Sequence, residues 1–519
     1  MKNKVTFKLI TLPALILTVI AEVVFAVQLF VLNLLPGEYS LLVVLLLLLV
    51  PVLMFLAWHK GKKKPLRYIV LWLVSLAMIA GCVLGTTALH KLQTTLDAIS
   101  GQEEDTGIYV GVYVLKDDAA QGIQDTKSYT FGFSDADANY DPQEAIRGIS
   151  ILLDTTINAK EYDSAFALAE ALKAKEVDAI LVNTAFAELY EDVEGYETFL
   201  TDTKLLYEHS VQAREVPPST EPDATGPEGS LPEEDAEEPT EPEKPAEQIQ
   251  VSREPFILYL SGSDTRAAKL RTSRTDVNIL AVVNPTTKQI LLINTPRDYY
   301  VTLGGTKDSK DKLTHSSMYG MKTSVRTMEK LYNCDVSFYA RINFNGFEKL
   351  IDAIGGIDIH SDITFITDDD IWIYEGDNHL NGEQALSFAR ERHHLKGGDN
   401  ARGKNQMKVI AAVVDKVTSG TTIITKYTEI LESLEGMFVT DMPTEKISEL
   451  VQLQLAEMPK WEILSYAVTG TGTYDYTYSI PNTKTYVMTP HTSKVKQAKS
   501  LIKSVMKGQV LTEEDLSNS

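Results

Sequence analysis

Three apolar runs, residues 9–35, 39–58 and 68–89, fill most of the first 90 positions. Each approaches or exceeds the roughly 20 residues that cross a bilayer as a helix. One such run could be a cleaved leader, but three in succession define a membrane region. Lys2, Lys4 and Lys8 precede the first run, and Lys60, Lys62, Lys63, Lys64 and Arg67 lie between the second and third. The Pro36-Gly37-Glu38 turn holds no cation. Cation-rich loops stay cytoplasmic, so the expected topology is a multi-pass cell-membrane protein with its N-terminus inside and everything after residue 90 extracellular. Glu22 interrupts the first run, where an ionisable group marks either an ion pathway or a neutral carboxyl in a helix contact. Cys82 lies in the third run and Cys334 far beyond it, so no internal disulfide is expected. A large external region without one suggests a bacterium that does not staple its surface proteins.

The net charge of −22 is unevenly spread. Residues 1–95 carry 9 basic and 2 acidic side chains (+7), 96–215 carry 8 and 25 (−17), 216–249 carry 1 and 11 (−10), and 250–519 carry 31 and 33 (−2). An acidic exterior argues against a nucleic-acid partner. The same divisions serve as domain boundaries. Residues 1–95 form the membrane domain with three transmembrane helices, 96–215 an extracytoplasmic accessory domain, 216–249 a disordered Pro- and Glu-rich spacer or surface loop, and 250–519 the domain that carries chemistry.

In the accessory segment, strand patterns at Ile108–Leu115, 129–133 and 177–182 alternate with helical periodicity at 142–153 and 163–174, which predicts a small α/β unit. No nucleophile–base pair, metal spacing or phosphate loop occurs there, so an interaction role is expected. After the spacer come β-branched runs at 255–261, 277–283 and Gln289–Asn294. The last two are joined by a turn of hairpin length. Helical stretches around 316–331, 346–354, 382–389, 400–417 and 444–456 alternate with strand-like pieces at 336–342, 357–360, 462–468 and 485–488. The expected fold class is mixed α/β (α+β), a central mixed sheet flanked by helices.

Asp264 and Arg266 follow the first run, Arg274 and Asp276 precede the second, and Arg297 and Asp298 follow the third. In an antiparallel hairpin the start of one strand lies beside the end of the other, so Asp276 should neighbour Arg297. If the first strand is also antiparallel to the second, Asp264 joins the same edge. Paired carboxylates without Cys or His at ligand spacing suit a hard cation such as Mg²⁺ (or Mn²⁺), and arginine forks suit phosphate, so the set points to a pyrophosphate. A structural Asp276–Arg297 ion pair is the alternative.

Downstream, Asn381 is a plausible cap for a helix that delivers Arg390 and Arg392, and the two reach one site only if the helix unwinds there. Asp399 and Asn400 look like caps for the next helix, where Arg402 and Gln406 share a face at i, i+4. Adjacent His393 and His394 diverge, and no third ligand is spaced to join them in a metal site.

These segments resemble the LytR–CpsA–Psr family of cell-envelope phosphotransferases, in its capsule-associated branch. The carriers are Ser263-Asp264-Thr265-Arg266, Arg274-Thr275-Asp276, Thr295-Pro296-Arg297-Asp298, Lys312-Leu313-Thr314-His315, Gly355-Gly356-Ile357-Asp358 and the paired-arginine segment ending at Gln406. The resemblance implies that Asp264 and Asp276 hold Mg²⁺. It implies that Arg274, Arg297, Arg390, Arg392, Arg402 and Gln406 hold or act on the pyrophosphate, with a polyprenyl tail in an apolar tunnel. Arg297, Asp298, Arg390 and Arg392 are the expected catalytic residues, Asp298 either accepting a proton or buttressing Arg297. The implied reaction transfers a capsular or other wall polysaccharide from a polyprenyl-pyrophosphate carrier to peptidoglycan, with capsule-assembly proteins as further partners. A non-catalytic carrier-binding regulator of capsule assembly is the rival reading. Two positions depart from the family pattern. Thr275 replaces a common Ser, and Asn405 stands where many relatives have Arg, which leaves a phosphate contact there in doubt.

Overall fold

A computed structural model describes residues 2–60, 65–101, 107–135, 140–212, 248–265, 269–306, 308–419 and 426–517. Lys62, Lys63, Lys64, Arg266 and the acidic spacer as far as residue 247 lie outside the described residues.

Helices α1 (Lys2–Leu32), α2 (Gly37–Lys60) and α3 (Pro65–Ile99) are each long and apolar enough to cross a membrane. Glu22 is buried on α1, and neither carboxylate oxygen has a hydrogen-bond partner among the described residues. Helix α3 continues through residue 95, where the sequence suggested the membrane region would end. The reason is packing. Leu92, Leu96 and Ile99 follow helical spacing and bury against Leu431, Val451 and Leu455 near the C-terminus.

The smaller α/β unit is a five-stranded mixed sheet of β1 (Ile108–Leu115), β2 (Thr130–Phe133), β3 (Asn158–Glu161), β4 (Ala179–Asn183) and β5 (Thr203–Val211), ordered β3-β2-β4-β1-β5. Between β4 and β5 the chain makes a 3-10 turn, Glu188–Asp192.

The larger unit is built on a six-stranded mixed sheet. Its centre is the antiparallel set β6 (Phe256–Ser263), β7 (Val277–Asn284) and β8 (Gln289–Asn294). Phe338–Asn343 adds parallel to β6, Glu462–Ala467 parallel to β8, and Phe438–Thr440 closes one edge. Side chains alternate between faces. Ile257, Tyr259, Leu280 and Val282 pack beneath the helices Met321–Tyr332 and Thr492–Met506. Phe256, Ile279, Ala281 and Leu292 face the helices Asp399–Thr418 and Thr444–Glu457. Burial on both faces explains why these strands read as continuous apolar runs.

Candidate active site

The register of the central strands converges the motif residues. Gly262 pairs with Val277 and Ile279 with Asn294, so the segments beyond these positions leave the sheet at one edge. Arg297 Nη1 lies 2.7 Å from Asp276 Oδ1. Burial alone would raise the Asp276 carboxyl, but Arg297, Arg402 and Arg274 outweigh it and hold the group at about 2. Asp264 stands beside it, with Oδ2 3.2 Å from Arg274 Nη2. Burial and then the Asp276 charge raise the Asp264 carboxyl. Segment 312–315 straps the edge. Thr314 N–H donates to the Arg297 carbonyl, and Thr275 N–H to the Thr314 carbonyl.

The second arginine cluster arrives on two helices. Asn381 caps Gly382–Arg390 with a capping box to Gln384. The helix stops at Arg390 because Glu391 turns extended (φ −61°, ψ 128°), which brings Arg390 and Arg392 to the same cavity. The next helix, Asp399–Thr418, carries Arg402 and Gln406 inward. Gly403 permits its approach, since a Cβ there would lie 2.1 Å from Asn294 Nδ2. Gly398 occupies the cap position, which corrects the expected caps at Asp399 and Asn400. Asp399 is already helical, and its carboxylate turns to Arg402. Asn405 is buried with its amide donating to the Phe388 carbonyl, a contact that ties the two helices together.

A cavity of about 630 Å³ runs between the sheet and these helices. Apolar side chains form its body, among them Leu260, Ala281, Leu292, Phe347, Ile410 and Val413. Asp264, Arg274, Asp276, Arg297, Arg390, Arg392, Arg402 and Gln406 all line it. Asp298 instead faces a second, polar chamber of about 420 Å³ that shares Arg297 and Arg392. Asp298 Oδ2 is 3.8 Å from Arg297 Nε, and its Oδ1 is 3.7 Å from Lys312 Nζ.

Several site residues carry no signature in sequence spacing. The Glu188–Asp192 turn of the smaller unit inserts three carboxylates beside the arginines. Arg274 meets Glu188 at 3.2 Å and Glu191 at 2.8 Å, and Asp192 meets Lys312 at 3.0 Å and His315 at 2.9 Å. Burial, with the Asp264 charge, pushes the Glu188 carboxyl up to about 8 against the pull of Arg274. Buried Arg341 donates to the carbonyls of Ser273 and Arg274, fixing the loop that presents Arg274. The acidic run Glu188-Leu189-Tyr190-Glu191-Asp192 was the only available hint of the first group. His394 does find company, contrary to expectation. It lies 3.4 Å from both Asp368 and Glu391, because a distant loop supplies Asp368.

The donor chemistry of the Asp264–Asp276 pair fits a hard divalent cation. Both carboxylates share one edge, and Asp264 Oδ1 is buried without a hydrogen-bond partner among the described residues. The rest of the site is an apolar chamber ending in guanidinium groups, an arrangement suited to an amphiphile with an anionic head.

An apolar chamber roofed by helices and closed by arginines and paired aspartates lies on a mixed α/β scaffold. A model of the LytR_cpsA_psr family matches residues 229–500, more than half of the 519-residue chain. The chain belongs to the LytR–CpsA–Psr family. It is similar to the polyisoprenyl-teichoic acid–peptidoglycan teichoic acid transferase TagU of Enterococcus faecalis, 35% identical over 202 residues that cover 38% of this chain and 65% of that protein. The corresponding TagU of Bacillus cereus is 31% identical over 209 residues, covering 40% and 67%. The crystal structure of B. subtilis TagV aligns over 50% of this chain and 99% of that one, with a TM-score of 0.41 and 26% identity.

Proposed function

We propose that this protein is a membrane-anchored phosphotransferase. It moves a capsular or other wall glycopolymer from a polyprenyl-pyrophosphate carrier to peptidoglycan at the outer face of the membrane. The observation that carries the reading is the apolar cavity of about 630 Å³ that ends in arginines and two aspartates. The transferase names of the TagU relatives support the same chemistry. The basic residues in the first turns of α1 and around the junction of α2 and α3 favour an outward-facing larger unit, where a lipid-linked donor and the wall would both be met.

In this mechanism the polyprenyl chain occupies the apolar cavity, so that the pyrophosphate stops at the arginines. Arg274, Arg297, Arg390, Arg392 and Arg402 bind and orient the phosphate oxygens, with Gln406 as a neutral donor. Arg297 and Arg392, at the junction of the two chambers, offset charge that builds on the transferring group. Asp298 faces the polar side and accepts the proton of the incoming hydroxyl. Asp264 and Asp276 would hold Mg²⁺, or Mn²⁺, which supplies electrostatic neutralisation of the pyrophosphate. Arg341, Glu188 and Glu191 keep Arg274 in place.

The test is a glycan-transfer assay with full-length protein in detergent and a polyprenyl-pyrophosphate-linked saccharide. Transfer that depends on Arg297 and Asp276 is expected. Tight binding of the lipid with no transfer would instead establish a carrier-binding regulator, and neither binding nor transfer would end the proposal.

A further inference from the structure

We infer that the polar chamber is the subsite for the acceptor saccharide. Resting on the transfer reading above, this inference adds where the hydroxyl-bearing glycan docks. The two chambers share Glu191, Arg297, Arg392 and His393 and so meet at the arginines. In a phosphoryl transfer the attacking and leaving oxygens lie roughly in line across phosphorus. The leaving oxygen belongs to the polyprenyl phosphate, whose chain fills the apolar chamber. The attacking oxygen therefore enters from the other side, through the polar chamber.

The lining of that chamber matches a sugar chain. Part of its wall is Thr485 and Tyr486, which begin the second strand of the hairpin formed by Gly470–Asp475 and Thr485–Pro490. Tyr486 lines the chamber and is 40% exposed. Tyr474 is its direct cross-strand partner, 66% exposed, with ring centroids 6.0 Å apart and planes at 78°. Gly472 leaves room for the Tyr486 hydroxyl, which a Cβ there would approach to 2.7 Å. A pyranose offers a C–H face that stacks on such rings and a rim of hydroxyls that donate to carboxylates. Asp298 and Asp399 supply those carboxylates. The Tyr486 ring lines the chamber together with these two carboxylates, and burial, then their charges, raise its phenol.

The hairpin is held against the site from both units. Met488 N–H donates to the Asp298 carbonyl at 2.7 Å, and Thr485 Oγ1 to the Asp192 carbonyl at 2.7 Å. The tyrosines thus stand on an anchored strand rather than a loose loop. In the step itself, the acceptor O–H oxygen bonds to the glycan-bearing phosphorus and its proton passes to Asp298. The bridging P–O bond breaks, and the electron pair leaves with polyprenyl phosphate.

The experiment uses full-length protein in detergent, a polyprenyl-pyrophosphate-linked saccharide at saturation, and a soluble uncrosslinked peptidoglycan oligosaccharide as acceptor. Tyr486→Ala and Tyr474→Ala should each raise the acceptor KM about tenfold, with donor affinity and Tm unchanged. Tyr486→Phe should retain most of the affinity. Unchanged acceptor KM in both alanine variants would overturn the assignment, as would a donor affinity that falls as far as acceptor affinity. If the wild type neither binds nor transfers the donor, the functional reading fails. Saturation-transfer NMR of the oligosaccharide against wild type and Tyr486→Ala then still decides the subsite. Contact at Tyr486 supports it and its absence removes it.

Discussion

The two chambers meet at the same arginines yet are made in opposite ways. The apolar chamber takes its walls from regular elements, with Ala281 and Leu292 on the sheet and Ile410 and Val413 on a helix. The polar chamber is assembled from a 3-10 turn of one unit, a strap and a helix start of the other, and a hairpin. A wall built on strands and helices depends on hydrophobic periodicity. One built from separated segments depends on a few polar contacts, each of which can be cut singly.

The largest effect expected is at the junction. Arg297→Ala removes the partner 2.7 Å from Asp276 and, in the proposed mechanism, a donor to the pyrophosphate, and should lower transfer about 10²–10³-fold at saturating lipid. If the chambers served separate chemistries, the same variant would spare transfer.

A smaller effect is expected where the units meet. Glu188→Ala leaves Arg274 with Glu191 and Asp264 but without its most buried carboxylate partner, and should cost about 1–3 kcal/mol in chemical unfolding. Glu188→Gln keeps the shape and should cost less. Equal losses would mean that charge, not packing, joins the units.

Smaller still is a pH effect at the strap. His315 is buried between Asp311 at 2.7 Å and Asp192 at 2.9 Å. Burial lowers its pKa, but the two carboxylates raise it above the ordinary 6.5. The charged form is therefore favoured by folding. Its stabilisation is complete below about pH 6.5 and is lost as pH rises through the folded value. Protection of segment 188–192 against hydrogen exchange, taken relative to the intrinsic base-catalysed rate, should fall on going to alkaline pH, and His315→Gln should flatten that dependence. An equal alkaline loss of protection in the variant would remove His315 from the contact.

What could be read from sequence follows the same division. The three apolar runs, the β6–β8 strands and the Asp276–Arg297 adjacency are consequences of burial and period-two alternation, both visible in one chain. The β5 strand was missed because Lys204, Glu208 and His209 interrupt any apolar alternation along an edge strand. Glu188, Glu191 and Asp192 give no site signal in the sequence because their partners Arg274, Lys312 and His315 lie in the other unit. The Gly398 cap was missed because Asp399 is the better capping residue by type, and only its pairing with Arg402 explains why it sits one position later. Tyr474 and Tyr486 belong to a hairpin whose first strand was not foreseen, so their pairing across it was invisible.

The central claim is that the apolar chamber holds a polyprenyl chain with its phosphate at the arginines. Native mass spectrometry of the detergent-solubilised protein, comparing wild type with Val413→Trp, tests it most directly. A half-buried position on the helix can take the larger ring at a cost of about 1–3 kcal/mol while the indole fills the chamber. The account predicts a polyprenyl phosphate or pyrophosphate adduct on the wild type that is lost in the folded variant. An adduct retained equally by both, or none on a wild type incubated with polyprenyl pyrophosphate, would contradict it.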